Sequence, residues 1–396
     1  MKKLIVIPFN IPWEWSTDYT NQTAFILAKD NIVICYMWCE ASSIKEYLQK
    51  RKFPRFIKRH SKNIYLFYPT LLIPFRRFGE IASINEKISL FLLKVFAKFL
   101  ETRNRVSKKM LWIFDPKLYP LTQKFGKDYF LLFDCVDYFI GTSRTKSEKK
   151  ILIKYEHDLV DRADLVTANS VILLKHLQKI RKDVHLVPQG FRVDSFKKHV
   201  SNIIKIKRNK RPLIGFLGAI NYRIDFDLLY NLAKRNLKWD FALWGPVLEP
   251  DLLTPSKQNY YNKLIKLPNV MRGQSDKSGV PGIIRQFDVG MIPYDISIDF
   301  NKYCYPMKLF EYFYLGKPVI STQIEELKRF PKFVKIGGNY KDWEKIILGL
   351  LSKRRPEKYK EQQKKLAVEN GWENKIKIIC QLLSPNFTTD IAMYIK

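Results

Sequence analysis

The sequence is poor in cysteine and has no long apolar run. Its five cysteines, at irregular spacing, are Cys35, Cys39, Cys135, Cys304 and Cys380. An odd number without a C-x-x-C pair argues against a disulfide framework and against a metal site, so we expect reduced thiols in a cytosolic protein. No stretch reaches the roughly 18 uncharged apolar residues that a membrane-spanning helix needs. The apolar run near the N-terminus is too short for a signal peptide and ends at Pro8.

Acidic residues are also scarce. The 396 residues include 70 Lys and Arg against 38 Asp and Glu, which gives a net charge of +32. Such a surface attracts anionic small molecules, anionic membranes or polyanions, and the basic residues are spread along the chain rather than confined to a tail. No zinc-finger or RNA-recognition motif is present, so nucleic-acid binding is a less favoured interpretation.

Complete phosphate-binding glycine motifs are missing, since the chain has neither G-x-G-x-x-G nor a P-loop. A partial signal is present where the predicted strand Leu213 to Gly218 ends in glycine and Arg223 follows. A glycine turn allows a phosphate to approach the backbone at the start of a helix, and Arg223 can close over it. This signal is weak by itself.

Short apolar runs alternate with segments of helical spacing in two series. The first series opens with Leu4 to Ile7 and Asn31 to Trp38, and the second begins at Pro212. Strand, helix, strand in this order is typical of a doubly wound α/β domain, whose ligands bind beyond the carboxyl ends of the strands. We expect two Rossmann-like domains, 1–196 and 212–371, joined by a basic linker at 197–211.

Polar and aromatic residues follow two predicted strands of the first domain. Asp134 and Asp137 come directly after the run Tyr129 to Phe133, where a carboxylate can contact a sugar hydroxyl or act as a base. An N-cap or turn role is equally compatible with the pattern. Trp13 and Trp15 follow the first strand and either stack on a sugar or lipid or pin the loop to its own domain.

A short helix is predicted around Lys308 and Glu311, which are three residues apart and therefore share one face. Gly316 suits its C-terminal cap, and Pro318 follows where a helix cannot continue. A lysine can offset phosphate charge, and a carboxylate can accept hydrogen bonds from two neighbouring hydroxyls. The alternative is an exposed ion pair on a helix surface.

Residues 84–100 have an apolar face at helical spacing, with Lys87, Lys94 and Lys98 opposite it and further basic residues up to position 109. A basic amphipathic helix of this kind can lie on an anionic membrane. The alternative is a core helix with a solvated basic face.

A series of short motifs between about residues 110 and 380 resembles the GT-B glycosyltransferases, specifically the retaining family 4 (group 1) enzymes. The motifs are Ala163-Asp164-Leu165-Val166, Val187-Pro188-Gln189-Gly190-Phe191-Arg192-Val193-Asp194, Gly215-Phe216-Leu217-Gly218, Leu267-Pro268-Asn269-Val270, Phe287-Asp288-Val289, Pro293-Tyr294, Pro306-Met307-Lys308-Leu309-Phe310-Glu311-Tyr312 and Gly316-Lys317-Pro318-Val319. Gln189 and the segment Phe191-Arg192 depart from the family's Pro-Asn-Gly-Val-Asp pattern. The resemblance implies an α/β GT-B fold in which two Rossmann-like domains face each other across a cleft. It also implies an acceptor-side first domain, a donor-side second domain, and a terminal helix and tail (372–396) that cross back to the first.

The resemblance further implies roles for individual residues. Glu311 is expected to bind the donor ribose, while Arg223 and Lys308 hold the diphosphate and stabilise the leaving group. Asp134 and Asp137 are expected to face the sugar and, with the two cations, to form the catalytic set. Gly218, Gly273 and Asn301 complete the expected donor contacts. The family's usual first acid is replaced by Tyr303 here, so Asp299 or Asn301 is expected to contact the transferred sugar instead.

The predicted function is transfer of a sugar, with retention, from a UDP- or GDP-sugar to a polysaccharide or lipid-linked glycan in cell-surface glycan biosynthesis. No permanently bound cofactor and no obligatory metal are expected. The predicted location is the cytoplasm, with peripheral contact to the inner, anionic face of the plasma membrane. The alternatives are a GT-B-fold nucleotide-sugar epimerase, an inactive binding partner and a basic nucleic-acid-binding protein.

Overall fold

The computed structural model describes residues 2–9, 13, 19–37, 56–69, 79–199, 206, 210–248, 253–276, 278–353 and 355–383. Trp15, Cys39, most of the predicted linker and the tail beyond residue 383 lie outside this described part. The chain divides into two compact units. The first comprises residues 1–169, 173–187 and 375–396, and the second comprises residues 170–172 and 188–374.

An eight-stranded sheet forms the centre of the first unit. Its strands are β1 (Leu4–Phe9), β2 (Ile32–Met37), β3 (Ile57–Arg59), β4 (Ile64–Phe67), β5 (Lys109–Ile113), β6 (Tyr129–Cys135), β7 (Leu165–Ala168) and β8 (Val184–Leu186), in the spatial order β3-β4-β2-β1-β5-β6-β7-β8. All neighbouring pairs are parallel except β3 with β4. Every residue of β1 and β2 is buried, as continuous apolar runs predict for central parallel strands.

Residues 41–80 show no clear strand pattern in the sequence, but the structure has two strands there. Strands β3 and β4 lie in that region and form an antiparallel pair at the edge of the sheet. The apolar run Ile64-Tyr65-Leu66-Phe67 is only four residues long and follows the polar stretch 58–63, so its pattern is weak in the sequence. Pairing with β2, rather than local propensity, sets its conformation.

A six-stranded parallel sheet forms the centre of the second unit. Its strands are β9 (Leu213–Leu217), β10 (Asp240–Trp244), β11 (Val270–Gly273), β12 (Val289–Ile292), β13 (Val319–Ser321) and β14 (Val334–Ile336), in the order β11-β10-β9-β12-β13-β14. Along the chain, β9 is followed by β10 and β11 on one side of the sheet, and β12 is followed by β13 and β14 on the other side. The carboxyl ends of β9 and β12 therefore form the topological switch point, where open α/β sheets bind ligands.

Helices connect the strands of both sheets. In chain order they are α1 (Tyr19–Leu27), α2 (Gly79–Arg103), α3 (Tyr119–Thr122), α4 (Lys146–Arg162), α5 (Val171–Leu177), α6 (Val193–His199), α7 (Phe226–Arg235), α8 (Pro255–Leu264), α9 (Val280–Arg285), α10 (Asp299–Lys302), α11 (Lys308–Tyr314), α12 (Tyr340–Ser352), α13 (Glu357–Glu369) and α14 (Trp372–Leu382). None of the helices in the described ranges is long and apolar enough to cross a membrane. The predicted α/β class with two parallel-sheet domains is confirmed.

Local sequence explains how α11 ends. Gly316 adopts a φ of +63°, in the left-handed region that glycine enters at low cost, and the amide of Lys317 donates to the carbonyl of Tyr312. Pro318 then separates the helix from β13. The predicted cap is thus present, and it fixes where the helix carrying Lys308 and Glu311 stops.

Candidate functional site

Gly218 marks the carboxyl end of β9 at the switch point of the second sheet. Its φ of +146° is a conformation that residues with a side chain rarely adopt. A Cβ added at Gly218 would lie 3.3 Å from both Cε and Nζ of Lys308. The lysine ammonium therefore lies beside the glycine turn, although it comes from α11, 90 residues further along the chain.

Lys308 does not pair with Glu311. Its ammonium hydrogen-bonds to the hydroxyl of Tyr294 and lies over two aromatic rings, 4.9 Å from the centroid of Phe216 and 4.6 Å from that of Tyr294. The negative face of an aromatic ring attracts a cation, so both rings help to hold the ammonium in place. No ion pair joins Lys308 to Glu311 in the described part of the chain. The alternative interpretation of these two residues, an exposed ion pair on a helix surface, is therefore wrong.

Glu311 lies in the first turn of α11 and is half-buried. Desolvation raises the pKa of its carboxyl group, while the charges of Lys308 and Arg192 act in the opposite direction. A carboxylate that is desolvated but not tied into an ion pair keeps its acceptor oxygens available. This is the state expected of a group that accepts hydrogen bonds from ligand hydroxyls.

Arg192 is a cation of this site that the sequence reasoning missed as a functional residue. It follows Phe191 in the motif segment and is close enough to Glu311 for each charge to shift the other group's pKa. Burial lowers the pKa of the Arg192 guanidinium, and its Nε is buried without a hydrogen-bond partner. The available signal was the departure from the family motif, where an arginine stands in an otherwise apolar and acidic segment.

Arg223 is held in place from several directions. Its Nε donates to Oδ1 of Asn301 at 2.7 Å, and its guanidinium carbon lies 4.5 Å from the ring centroid of Tyr294 and 4.6 Å from that of Phe300. Lys257 holds the same turn by donating to the carbonyl of Tyr222 at 2.6 Å, and it pairs with Asp295 at 2.6 Å. The guanidinium is therefore positioned by the protein itself.

Asn301 and Gly273, both predicted donor contacts, have visible structural roles. Asn301 is fully buried, and its Nδ2 donates to the carbonyls of Arg223 at 3.0 Å and Asp295 at 2.9 Å. With these hydrogen bonds, Asn301 is better suited to orienting Arg223 than to contacting a ligand. Gly273 ends β11, and a Cβ there would lie 2.3 Å from the indole of Trp244, so glycine is needed for the ring to pack.

The two carboxylates of the first unit occupy different environments. Asp134 is fully buried in β6, and its Oδ1 accepts hydrogen bonds from Lys375 Nζ at 2.9 Å and Thr167 Oγ1 at 3.0 Å. Lys375, in α14, is also fully buried, so this pair ties the last helix into the first unit. Asp137 lies half-buried in the loop after β6. Asp134 therefore has a structural role in holding α14, and Asp137 is the more exposed of the two carboxylates.

A histidine and a glutamate near this loop were also missed by sequence reasoning. His176 Nε2 lies 2.5 Å from Oε1 of the buried Glu156, and the edge of its ring meets Tyr138 at 5.3 Å between centroids. The described residues contain no group of three or more His, Cys, Asp or Glu side chains that could hold a metal ion.

No protein-family model matches the chain. It is 28% identical over 279 residues to the Bacillus subtilis (strain 168) protein named "Putative teichuronic acid biosynthesis glycosyltransferase TuaH", a match that spans 66% of this chain and 68% of the relative.

Solved structures of similar fold cover nearly the whole chain. Sucrose-phosphate synthase from Thermosynechococcus elongatus superimposes with a TM-score of 0.68 at 14% identity, covering 98% of this chain and 99% of that one. Anabaena Alr3699/HepE in complex with UDP and glucose has a TM-score of 0.61 at 13% identity, covering 97% and 100%. An E. coli structure titled "Trehalose-6-phosphate from E. coli bound with UDP-2-fluoro glucose" has a TM-score of 0.67 at 11% identity, covering 96% and 98%. The chain has the GT-B fold, and the resemblance to glycosyltransferases that its motifs indicated is confirmed.

Proposed function

We propose that this protein is a glycosyltransferase that takes a sugar from a nucleotide-sugar donor and passes it, with retention, to a polysaccharide or lipid-linked glycan. The observation that carries the proposal is the arrangement at the switch point of the second sheet. There Lys308 lies at the Gly218 turn, and Asn301 holds the Arg223 guanidinium by a hydrogen bond. Glu311 is desolvated and has no ion-pair partner among the described residues. A nucleoside diphosphate needs these features together, namely cations for its phosphates and a carboxylate for its ribose hydroxyls.

The chemistry requires stabilisation of the leaving group. As the bond from the sugar to the diphosphate breaks, negative charge develops on the phosphate oxygens. Positive potential for that charge comes from Lys308, Arg223 and the backbone at Gly218. Neither cation has to reorganise, because the ring of Phe216 holds Lys308 while the ring of Tyr294 and the side chain of Asn301 hold Arg223. Asp137 is proposed to orient the sugar through a hydroxyl.

The donor is proposed to be a UDP-sugar, with a GDP-sugar as the other candidate. The Anabaena neighbour binds UDP, which supports the first choice. The acceptor is proposed to be a cell-surface polysaccharide or its lipid-linked precursor, at the inner face of the membrane. The name of the Bacillus subtilis relative and the net charge of +32 support an acidic glycan or an acceptor embedded in an anionic membrane.

A nucleotide-sugar epimerase is a second candidate, because Tyr303 stands where the resemblance leads us to expect an acid. The two activities are separable by omitting the acceptor. An epimerase converts its bound donor without one, whereas a retaining transferase needs an acceptor for turnover beyond slow hydrolysis.

The direct test is a thermal-shift screen of the wild type and Glu311→Ala against UDP-, GDP-, ADP- and dTDP-sugars. A donor that raises the melting temperature of the wild type, but not that of the variant, identifies the nucleotide and supports the ribose role. Glu369→Ala, a change at an exposed position of α13, is the matched control and should respond like the wild type. If no donor in the panel binds or is turned over, the proposal is wrong.

A further inference from the structure

Helix α2 carries two apolar stripes on opposite sides, and only one of them packs into the first unit. Leu93, Ala97 and Leu100 are at most 2% exposed, and the ring of Phe96 packs on Tyr65 of β4 with centroids 5.5 Å apart. The second stripe points away from these residues. An ordinary surface helix has its apolar residues on the core side alone, so the second stripe needs an explanation.

The second stripe consists of Phe91, Val95 and Phe99, which are 65%, 52% and 52% exposed. They are four residues apart and lie nearly in line along the helix, since each residue advances about 100°. Ile84, 42% exposed, continues the line toward the N-terminal end. We call these four residues the outer stripe. Singly exposed apolar residues are normal on a protein surface, but a row on one helix face is a patch that marks an interaction site.

Cations border the outer stripe. Lys87, Lys94 and Lys98 are exposed and follow one edge, and the guanidinium of Arg103 lies over the ring of Phe99 at 5.9 Å. From residue 84 to the end of this helix the acids are Glu86 and Glu101, which are half-buried, and Glu101 is engaged by Lys98 at 3.2 Å and Lys109 at 3.7 Å. The surface thus combines a row of aromatic and aliphatic side chains with a row of lysines.

Two kinds of partner fit this surface poorly. A nucleic acid would use the lysines but would leave the apolar row uncovered. A second copy of the chain would cover the apolar row but would bring two lysine rows against each other. An anionic bilayer interacts favourably with both the apolar row and the lysine row. The apolar side chains enter the boundary between headgroups and acyl chains, and the lysines reach the lipid phosphates.

We propose that α2 lies along the surface of an anionic phospholipid bilayer, with Phe91, Val95 and Phe99 inserted and Lys87, Lys94 and Lys98 on the headgroups. This inference goes beyond the proposed function and does not depend on it, since membrane binding is measurable without any sugar donor. Under this proposal both sequence-based interpretations of residues 84–100 hold in part, because one face of the helix is core and the opposite face binds lipid.

The test is vesicle flotation of the full chain with pure phosphatidylcholine and with vesicles that contain about a third phosphatidylglycerol. We expect binding to the anionic vesicles only, weakened by salt. Phe91→Ser/Phe99→Ser should weaken binding about tenfold or more, because two inserted rings are lost. Lys87→Glu/Lys94→Glu should also weaken it.

Matched controls are available on helices of the second unit. Leu348→Ser/Val368→Ser removes two side chains that are 44% and 41% exposed on α12 and α13, and Lys358→Glu/Lys365→Glu reverses two exposed lysines of α13. Both controls should bind vesicles like the wild type. The proposal is overturned if the wild type does not float with anionic vesicles, if the phenylalanine variant binds as well as its control, or if its main effect is the loss of a dimer. Unchanged thermal unfolding of the variants shows that folding is not the cause.

Discussion

Arg223 and Asn301 hold each other by two hydrogen bonds that run in opposite directions, although 78 residues separate them. Arg223 Nε donates to Asn301 Oδ1 at 2.7 Å, and Asn301 Nδ2 donates back to the carbonyl of Arg223 at 3.0 Å. A third bond, from the same Nδ2 to the carbonyl of Asp295, completes the arrangement at 2.9 Å. Asn301 therefore fixes the direction of the Arg223 guanidinium, and we propose that it acts as a positioning residue for donor binding.

Replacing Asn301 with alanine should weaken donor binding through Arg223. The change also removes one of the two hydrogen bonds that each of the carbonyls of Arg223 and Asp295 accepts, which should lower the free energy of unfolding by about 1–3 kcal/mol. The measurements are urea denaturation and donor titration of Asn301→Ala, Arg223→Ala and the double variant. If Asn301 acts through Arg223, the loss of affinity in the double variant equals that of Arg223→Ala alone. Additive losses would mean that Asn301 contacts the donor directly.

Glu311 should make stability depend on pH in a specific direction. Its folded-state pKa is raised by burial, so its contribution to stability is fully present below the unfolded pKa, near 4.5, and is lost as the pH rises through the raised value. Glu311→Gln removes this dependence and should therefore be more stable than the wild type at pH 7. The difference should disappear below about pH 4.

Denaturation curves over a series of pH values measure this effect, and Glu369→Gln at an exposed position serves as the control. We expect the same Glu311→Gln variant to bind the donor less tightly, because an amide accepts ribose hydrogen bonds less strongly than a carboxylate. A variant that is both less stable at pH 7 and unchanged in donor affinity would contradict the proposed role.

Arg192 should control the protonation of Glu311. Its positive charge lowers the pKa of the Glu311 carboxyl, against the effect of burial. In Arg192→Ala, donor binding should therefore begin to fail at a higher pH than in the wild type as the solution is acidified. Arg192→Lys keeps the charge and should restore most of the wild-type profile. Titration of the donor at several pH values separates this from a packing effect, which would weaken binding equally at every pH.

The features that the sequence predicted correctly are local ones. The cap at Gly316 needs one glycine at the end of an apolar helical pattern, and the turn at Gly218 needs one glycine after an apolar strand. Both depend on neighbouring residues and on the conformational freedom of glycine. Their positions relative to β9 and β12 then follow from the doubly wound topology.

The features that it missed depend on distant parts of the chain. The partner of Asp134 is 241 residues away, and the aromatic faces that hold Lys308 come from β9 and from the segment after β12. An aspartate at the end of a strand gives the same sequence pattern whether its carboxylate pairs with a buried lysine or contacts a substrate. Only the folded chain shows that Asp134 and Asp137, three residues apart, have different surroundings.

This difference predicts opposite outcomes for the two aspartates. Asp134→Ala removes one member of the buried Asp134–Lys375 ion pair, so the free energy of unfolding should fall by about 3–5 kcal/mol. Asp137→Asn changes a half-buried group in a loop and should lower stability less than Asp134→Ala does, while lowering the turnover number. Urea denaturation and a steady-state assay with the identified donor measure both quantities for each variant.

The double variant Asp134→Leu/Lys375→Leu provides the decisive control, because it removes both charges together. Replacing a buried ion pair by apolar residues of similar volume is often close to neutral, so we expect this variant to recover most of the stability that Asp134→Ala loses. If it is also active, Asp134 has no part in the chemistry. If stability recovers but turnover remains abolished, then the Asp134 carboxylate takes part in catalysis despite its burial, as its place after a buried strand first indicated.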